Sequence, residues 1–287
     1  MDKTVTVFGG SGFIGSHVCD VLTNRGYKVF IFDKNESPYL KDNQEMIIGD
    51  ILNKEFVNKT IKESNIVYNF AGIADIDIAH LNPIKSIELN VLGNSYIIDS
   101  CFRNKIERFI FASSLYVYND IGSFYGTTKR ASEMIIENYN KLGLSYTILR
   151  YGSLYGPRSD KNNFIYKILK QAINEKKITR KGDGEELREY IHVYDAAKWS
   201  VDILSDEFKD KSILLTGQQK LKIKDLLLMI KEIFDNKIEV EFSPSEESHH
   251  YRITPYLFKP DIGETYNNHK TIIDLGQGIL DYIYGGL

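Results

Sequence analysis

The chain carries TVTVFGGSGFIG at residues 4–15, a β-branched run that ends in closely spaced glycines. The glycines fit Gly-x-Gly-x-x-Gly when counted from Gly10, and Gly-x-x-Gly-x-x-Gly when counted from Gly9. Glycines at this spacing allow a tight turn and let the backbone approach a pyrophosphate. The helix expected to follow offers unpaired N–H groups and the positive end of its dipole. The stretch therefore predicts a strand–turn–helix unit that binds a dinucleotide at Gly9, Gly12 and Gly15.

A carboxylate stands where the next predicted strand ends. That strand, Lys28–Phe32, is closed by Asp33, 18 residues after Gly15. A carboxylate at this place accepts hydrogen bonds from both ribose hydroxyls and repels a 2′-phosphate, which favours NAD over NADP. Lys34 and Asn35 follow and are assigned to the same edge of the cofactor, although the charge of Lys34 weakens the preference. The alternative is a glycine-rich turn beside an exposed aspartate, which the order of strand, glycines, helix and acid disfavours.

Strands and helices alternate through the first half of the chain. The other predicted strands are Thr4–Phe8, Met46–Ile48, Ile66–Phe70, Arg108–Ala112 and Ser145–Leu149, and the longer helical patterns are His17–Asn24, Pro83–Arg103 and Tyr125–Leu142. Such alternation indicates βαβ units and a parallel sheet, with right-handed crossovers that place helices on both faces. The expected fold class is α/β, a Rossmann-type doubly wound parallel sheet with a smaller C-terminal α/β substrate lobe.

The regular alternation fades after Gly156-Pro157. Beyond it we predict helices at Asn163–Glu175, Ala196–Leu204 and Lys224–Phe234, a charged loop at Lys181–Arg188, and short strands near Ile191 and Leu214. No repeat or flexible linker separates the two parts. We therefore expect an NAD-binding domain at residues 1–155 and a smaller lobe at residues 156–287, between which the chain is free to cross.

The composition is that of an ordinary globular protein. Of 287 residues, 43% are hydrophobic and 26% charged, and 36 basic against 39 acidic residues give a net charge of −3. A nucleic-acid-binding protein usually carries a basic excess, so no nucleic-acid partner is expected. Cys19 and Cys101 are too few for a disulfide scaffold and are not spaced as metal ligands, so no metal is expected. Without a long apolar run or a signal peptide, the expectation is a cytoplasmic protein that does not span a membrane.

A second motif, Tyr125-Gly126-Thr127-Thr128-Lys129, places a tyrosine and a lysine on one face of a predicted helix. A free tyrosine titrates near about pH 10, too high for a base at neutral pH, and a neighbouring ammonium favours the phenolate. Upstream, Ser113-Ser114 ends the fifth strand, where a hydroxyl can point into the cleft beside Tyr125. With 19 tyrosines in the chain the spacing alone also arises by chance, but after the glycine turn it predicts a proton-transfer site.

Together these motifs resemble the extended short-chain dehydrogenase/reductases, in the NAD-dependent epimerase/dehydratase family that acts on nucleotide sugars. The resemblance extends over nearly the whole chain, with the motifs in the family's order. It is carried by Gly9–Gly15, Asp33, Gly49–Ile51, Asn69–Gly72, Asn90–Asn94, Ser113–Tyr118, Tyr125–Lys129, Leu149–Arg158 and Arg188–Asp195.

The resemblance implies a role for each matching position. Ser114 would hydrogen-bond the reacting sugar hydroxyl, Tyr125 would remove its proton, and Lys129 would bind the nicotinamide ribose while lowering the pKa of the tyrosine. Arg188 matches an arginine that grips the nucleotide diphosphate, as a guanidinium can through paired hydrogen bonds. The other positions assigned to NAD are Phe13 and Ile14 at the pyrophosphate, Asp50 and Ile51 at the adenine, Phe70, Ala71, Gly72 and Ala74 on the path towards the nicotinamide, Asn90 as a support of the active-site backbone or of a proton-relay water, and Tyr151 near the nicotinamide.

Three departures from the family bear on the reaction. The Asp-Glu pair with which its dehydratases eliminate water is replaced by Leu115 and Tyr116, so a 4,6-dehydratase is not expected. Ser153 stands where many relatives have an asparagine that touches the substrate phosphate. Only the six residues Asn119–Phe124 separate Tyr118 from Tyr125, where relatives often have a longer loop. The short loop should open the sugar end of the cleft, or leave room for a larger sugar or a partner. Tyr116 and Ser153 are still assigned to the substrate.

A second phosphate-binding arginine of the family falls near the histidines at residues 249 and 250. Arg252 is taken as the match, with a solvated loop as the alternative. No cysteine or cluster of acids accompanies His249 and His250, which favours a solvated loop over a metal site.

The expected function is NAD-dependent oxidoreduction at C4 of a nucleotide-diphosphate sugar, in the synthesis of surface-polysaccharide or glycoconjugate precursors. A 4-epimerase returns the hydride to the other face of the keto sugar, and a 4-dehydrogenase releases the keto sugar. A 4-ketoreductase catalyses the reverse reaction, the reduction of a nucleotide keto sugar. The three reactions use the same residues, so the sequence does not distinguish them. A non-catalytic NAD-binding redox sensor is the alternative of another class, but such proteins tend to lose the tyrosine or lysine. The family also implies a homodimer through a four-helix interface, built from the helices in Pro83–Arg103 and Tyr125–Leu142.

Overall fold

The computed structural model describes residues 3–118, 121–217, 219–244, 251–253, 263–266 and 272–285. Their strands are β1 Thr4–Phe8, β2 Lys28–Asp33, β3 Gln44–Ile48, β4 Ile66–Asn69, β5 Arg108–Ser114, β6 Tyr146–Tyr151, β7 Ser153–Tyr155, β8 Lys177–Lys181, β9 Leu187–His192, β10 Lys211–Leu215, β11 Lys220–Lys222, β12 Glu239–Ser243 and β13 Glu264–Thr265. Their helices are α1 Phe13–Asn24, α2 Lys54–Ile61, α3 Ile76–Leu81, α4 Pro83–Ile87, α5 Asn94–Arg103, α6 Ser123–Lys141, α7 Phe164–Glu175, α8 Val193–Asp202, α9 Ile223–Ile233 and α10 Leu275–Tyr284.

A parallel eight-stranded sheet, in the order β13-β10-β6-β5-β4-β1-β2-β3, forms the centre of the fold. From β1 the chain winds outwards through β2 to β3, and then returns to the other side of β1 to form β4, β5 and β6. The winding direction therefore reverses between β1 and β4, and such a switch point opens the crevice in which doubly wound sheets bind their ligands. The expected Rossmann-type sheet is confirmed.

Helices cover both faces of this sheet because its strands are apolar on both sides. Val5 and Val7 of β1 pack on the side of α1 and α8, where the buried Trp199 lies. Phe8 packs on the opposite side with Ile97 of α5 and with residues of α2 and α6. The two layers hold the ends of the strands rigidly around the crevice.

The chain crosses between the two lobes after residue 155. Strands β10 and β13 join the large sheet, and α8 covers one of its faces. The smaller lobe combines two small sheets, β11-β9-β7 and β12-β8, with α7, α9 and α10 around a separate core that includes Leu169, Leu227 and Ile279. The division at residue 155 stays a prediction, since strands from beyond it complete the larger sheet.

The helix expected over Pro83–Arg103 is not α-helical throughout. Between α4 and α5 the chain forms a π-helical turn at Glu88–Gly93, which contains Asn90. Such turns bulge a helix by one residue and often occur at functional sites. The helical pattern predicted for Pro83–Arg103 is confirmed over its whole range. The π-helical turn within it was not predicted, because these residue types are compatible with either form and the contacts of the turn with its neighbours decide between them.

Candidate active site

The glycine turn presents backbone N–H groups to the crevice. Helix α1 begins at Phe13, after Gly12 as an N-cap without a side chain, and its first turn holds no acidic residue. The first intrahelical hydrogen bond runs from the N–H of Ser16 to the carbonyl of Gly12. The N–H groups of Phe13, Ile14 and Gly15 lie before that bond and have no partner within the helix, so they can donate hydrogen bonds to an anion.

Gly9, Gly12 and Gly15 of the turn are glycines for different structural reasons. A Cβ on Gly9, whose φ is +76°, would lie 2.6 Å from the backbone nitrogen of Ala71, and one on Gly15 would lie 2.2 Å from the carbonyl oxygen of Gly9. A side chain is therefore excluded at Gly9 by the segment after β4, and at Gly15 by the turn itself. A Cβ on Gly12 would meet only the Gly9 oxygen, at 3.2 Å. The exposed side of Gly12 is an open cradle, and this shape fits the pyrophosphate of a dinucleotide.

Asp33 lies beside this cradle. Its carboxylate accepts hydrogen bonds from the backbone N–H of Ser11 at 3.2 Å and of Asn35 at 3.3 Å. The ammonium of Lys34 instead pairs with Asp50, with 2.9 Å between Nζ and Oδ2. The cation that was expected to weaken the NAD preference is therefore directed at another carboxylate, while Asp33 stays at the edge of the crevice.

Ser114 and Tyr125 meet at the carboxyl end of β5. Neighbouring residues on a strand point to opposite faces. Ser113 accordingly donates a hydrogen bond to Glu133 at 2.5 Å, whereas the hydroxyl of Ser114 is hydrogen-bonded to that of Tyr125. The structure thus turns one hydroxyl of the Ser113-Ser114 pair into the core and the other towards the tyrosine.

The phenol of Tyr125 sits in an apolar pocket. Only 9% of the residue is exposed, and it packs against Ile73, Ile76, Ala79 and Tyr116. Burial raises the pKa of Tyr125, because an apolar pocket disfavours the phenolate, and the hydrogen bond with the Ser114 hydroxyl lowers it by a smaller amount.

Lys129 lies on the same face of α6 as Tyr125, behind the phenol and against β5. Its Nζ donates to the carbonyl oxygen of Ala112 at 2.8 Å, and lies 4.8 Å from the ring centre of Phe111 and 6.0 Å from that of Tyr125. Burial lowers the pKa of Lys129 to about 8, although the charge of Glu133 raises it. Burial has the largest effect on the pKa of Tyr125 and raises it, so the lowering of that pKa by Lys129 stays a prediction.

Asn90 supports the backbone beside the tyrosine. Its Oδ1 accepts from the N–H of Ile73 at 2.8 Å, and its Nδ2 donates to the Ile73 carbonyl at 3.0 Å and to the Thr128 hydroxyl at 3.1 Å. The Oδ1 occupies space that a Cβ on Gly72 would need, at 2.4 Å. Asn90 therefore holds the segment after β4 against α6, while a role in holding a proton-relay water stays a prediction.

The remaining positions assigned to NAD lie around the crevice in different settings. Phe70 and Ala71 follow β4 and touch the glycine turn at Gly9. Ile51 is buried in the core, so its backbone rather than its side chain is left for an adenine. Tyr151 directs its hydroxyl into the layer under α8, 2.6 Å from the Oγ of Ser200. Its hydroxyl is thus used inside the core and not at the cofactor.

An aromatic wall continues from Tyr125 into the smaller lobe. The ring of Tyr116 lies 6.1 Å from that of Tyr125 and 5.0 Å from that of Tyr251, and Tyr251 in turn stacks 4.2 Å from the guanidinium carbon of Arg188. The hydroxyls of Ser153 and Tyr251 are hydrogen-bonded. Burial raises the pKa of Tyr116 well above its usual range, so it stays a neutral phenol and cannot do the work of a carboxylate.

Tyr251 is not among the residues predicted from the sequence, because the family's pattern at this place is an arginine and only the nearby cations match it. Arg252, the neighbour that was chosen, instead pairs with Asp183 at 2.8 Å and is 64% exposed at its side chain. The structure therefore does not bring Arg252 to the other candidate residues. His249 and His250 lie outside the described residues, as do Asn119 and Asp120 of the shortened loop.

Two further findings concern only the part of the chain that the structure describes. No three His, Cys, Asp or Glu side chains converge there on a place that could hold a metal ion. None of its helices is both long and apolar enough to cross a bilayer.

Known proteins resemble this chain along most of its length. The sequence model of the NAD dependent epimerase/dehydratase family matches residues 5–214. A protein of Methanocaldococcus jannaschii named "Putative UDP-glucose 4-epimerase" is 30% identical, with 96% of this chain and 95% of its own length covered. A UDP-N-acetyl-alpha-D-glucosaminuronate decarboxylase of Bacillus cytotoxicus is 26% identical, with 91% and 90% covered.

Solved structures share the fold. The UDP-N-acetylglucosamine 4-epimerase of Methanobrevibacter ruminantium, in complex with UDP-N-acetylmuramic acid, has a TM-score of 0.82 and 25% identity, with 99% of both chains covered. The UDP-glucose 4-epimerase of Thermus thermophilus, in complex with NAD, has a TM-score of 0.84 and 22% identity, with 99% and 100% covered. The second likeness is one of fold alone.

Proposed function

The chain belongs to the NAD-dependent epimerase/dehydratase family, and on that premise we propose that it oxidises C4 of a nucleotide-diphosphate sugar as a 4-epimerase or a 4-dehydrogenase. The proposal rests on one observation: Ser114, Tyr125 and Lys129 lie together at the strand ends, on the same edge of the sheet as the open cradle at Gly12. The 30% identical relative, named as a UDP-glucose epimerase, supports the first of the two outcomes.

NAD is the cofactor of this family, and the residues present fit it. The N–H groups of Phe13 and Ile14 would bind its pyrophosphate, Asp33 its adenosine ribose, and Lys129 its nicotinamide ribose. When bound, NAD supplies the acceptor for the hydride that leaves the sugar carbon.

The protein's own part is to hold the sugar hydroxyl and to take its proton. Ser114 would orient that hydroxyl, and the oxygen of Tyr125 would accept the proton as the C4 carbon is oxidised. The positive charge of Lys129 favours the phenolate form of Tyr125, against the effect of burial. The apolar pocket around the phenol keeps water from competing for the proton.

Arg188 would anchor the diphosphate of the substrate. The two hydrogen bonds that hold its guanidinium among the described residues both use Nη1, which donates to the carbonyl oxygens of Leu187 and Tyr251. Its Nη2 and Nε can then pair with phosphate oxygens. The wall formed by Tyr116 and Tyr251 extends from this guanidinium to the catalytic tyrosine, so it would line the sugar between the two ends.

The proposed reaction can be tested with a panel of UDP- and dTDP-hexoses, while NADH absorbance and product stereochemistry are followed together. Inversion at C4 without net NADH identifies a 4-epimerase, and NADH in proportion to a 4-keto product identifies a 4-dehydrogenase. Binding of NAD without turnover of any sugar, or release of CO2 from a nucleotide uronic acid, would contradict the proposal. A separate incubation of a 4-keto sugar with NADH tests the ketoreductase alternative.

Asp33→Asn is expected to reduce the preference for NAD over NADP by about tenfold. The substitution removes the carboxylate charge that repels a 2′-phosphate, and ~1.4 kcal/mol is a moderate value for one such charge pair near a protein surface. Dissociation constants for both cofactors measure the ratio. Asp42→Asn, at an exposed aspartate of the segment that follows β2, should leave it unchanged. Tighter binding of NADP than of NAD by the unsubstituted protein would contradict the role of Asp33.

Ile84→Asp is expected to convert a dimer into a monomer. Ile84 of α4 is 68% exposed and Met134 of α6 is 58% exposed, and apolar side chains on these helices suit the proposed four-helix interface between two copies. A charge at the centre of such an interface would be buried without a partner. Sedimentation analysis measures the change, with Leu228→Asp on α9, also exposed, as the matched control. A monomeric unsubstituted protein would rule the interface out.

A further inference from the structure

A buried polar cluster lies directly behind the catalytic residues. The carboxylate of Glu133 receives two hydrogen bonds from Arg150, at 3.0 and 2.7 Å, and one from Ser113 at 2.5 Å. Arg150 also donates to the hydroxyl of Tyr118 at 2.7 Å. The side chains of Glu133 and Arg150 are only 6% and 11% exposed, so the ion pair is formed inside the protein.

The cluster connects every element that carries a catalytic residue. Glu133 is on α6, one turn after Lys129 and two turns after Tyr125, on the same face of the helix. Ser113 is on β5 next to Ser114, and Arg150 is on β6. The reaction proposed above does not use Glu133, although it has the nearest charge of opposite sign along the helix from Lys129.

Lys129 is otherwise in a place that disfavours its charge. Burial lowers its pKa to about 8, and the charge of Glu133 opposes that effect. From its own helix it faces Tyr125 and Glu133, and β5 contributes only the ring of Phe111 and a backbone carbonyl. Arg150, from β6, is held by the Glu133 carboxylate.

Arg150 supplies the counter-charge for the buried carboxylate of Glu133. A charge inside a protein is costly unless a partner of opposite sign is hydrogen-bonded to it. The paired hydrogen bonds from Arg150 and the one from Ser113 occupy the oxygens of Glu133 and hold it in one position relative to Lys129.

We propose that Glu133, held by Arg150, is a positioning residue that keeps the amine of Lys129 charged while the reaction proceeds. The inference rests on the proposed function in one respect, namely that the charge of Lys129 assists proton removal by Tyr125. Without Glu133, Lys129 would lose its proton at a lower pH. The neutral amine would no longer favour the phenolate of Tyr125.

The direct test is the titration of Lys129 itself, followed by NMR in full-length protein with 13C-labelled lysine and with Lys129→Arg to assign the signal. The unsubstituted protein should show a midpoint near pH 8. Glu133→Gln/Arg150→Met, which removes both buried charges together, should lower the midpoint by about half a pH unit or more. Ser113→Ala keeps both charges and should leave it in place. Equal midpoints in the double variant and the unsubstituted protein would overturn the inference.

If the double variant does not fold, Glu133→Gln/Arg150→Gln gives the same answer, because it also removes both charges while its amides can still hydrogen-bond Ser113 and Tyr118. The alkaline limb of kcat/KM against pH provides a second readout. It should move to lower pH by the same amount as the NMR midpoint, whereas a merely structural role would reduce activity equally at every pH. A lowered midpoint in a protein that turns over no nucleotide sugar supports the inference and contradicts the proposed function.

Discussion

Tyr125→Phe is expected to lower kcat by about 10²–10⁴-fold, the usual contribution of a positioned proton acceptor. The substitution removes only the hydroxyl, which is hydrogen-bonded to Ser114 in a pocket that leaves 9% of the residue exposed. No described neighbour can take over, because Tyr116 is a neutral phenol whose pKa burial raises further. Single-turnover measurements with a nucleotide sugar and NAD give the change in rate.

A matched control is available on the same helix. Tyr139 also lies on α6, and its hydroxyl donates to Asp99 at 3.3 Å, away from the crevice. Tyr139→Phe makes the same chemical change and should leave kcat within a factor of about two, in line with a small effect on stability. Both variants should bind NAD as the unsubstituted protein does. Full activity of Tyr125→Phe would show that the proton leaves by another route.

Gly15→Ala is expected to weaken NAD binding by at least about 100-fold, equivalent to an overpacking cost at the upper end of ~1–3 kcal/mol. A Cβ at this position would lie 2.2 Å from the carbonyl oxygen of Gly9. Neither partner is a flexible side chain, so the turn has to open. Since Gly9 also packs against Ala71, the displacement would spread to the segment after β4. Titration calorimetry with NAD, together with thermal unfolding, measures both consequences.

Gly12→Ala is expected to weaken NAD binding without a comparable loss of stability. Its Cβ would contact only the Gly9 oxygen, at 3.2 Å, and would otherwise stand in the open cradle. Stability should therefore change little, while affinity for NAD falls because the methyl group occupies the approach to the backbone N–H groups. Equal NAD affinity in Gly12→Ala and the unsubstituted protein would mean that the pyrophosphate binds elsewhere.

Local sequence spacing was enough to locate the cofactor turn and the catalytic pair. Strand, glycines, helix and Asp33 follow one another within thirty residues, and a spacing of four residues places Tyr125 and Lys129 on one helix face. These arrangements depend on backbone geometry that neighbours in the chain share. The same reasoning could not predict the π-helical turn within Pro83–Arg103. Asn90 of that turn is hydrogen-bonded to Ile73 and Thr128, which lie in other parts of the chain.

Short-range patterns in the chain were thus enough to predict the doubly wound sheet, the family and the candidate catalytic residues. Three facts follow from the folded chain alone: which of two adjacent serines faces Tyr125, that Tyr251 rather than Arg252 lies beside Arg188, and that Glu133 is paired with Arg150 behind Lys129. These facts depend on how helices and strands far apart in the chain pack together. The same packing sets the pKa values of Tyr125 and Lys129, since burial and neighbouring charge are properties of the folded interior.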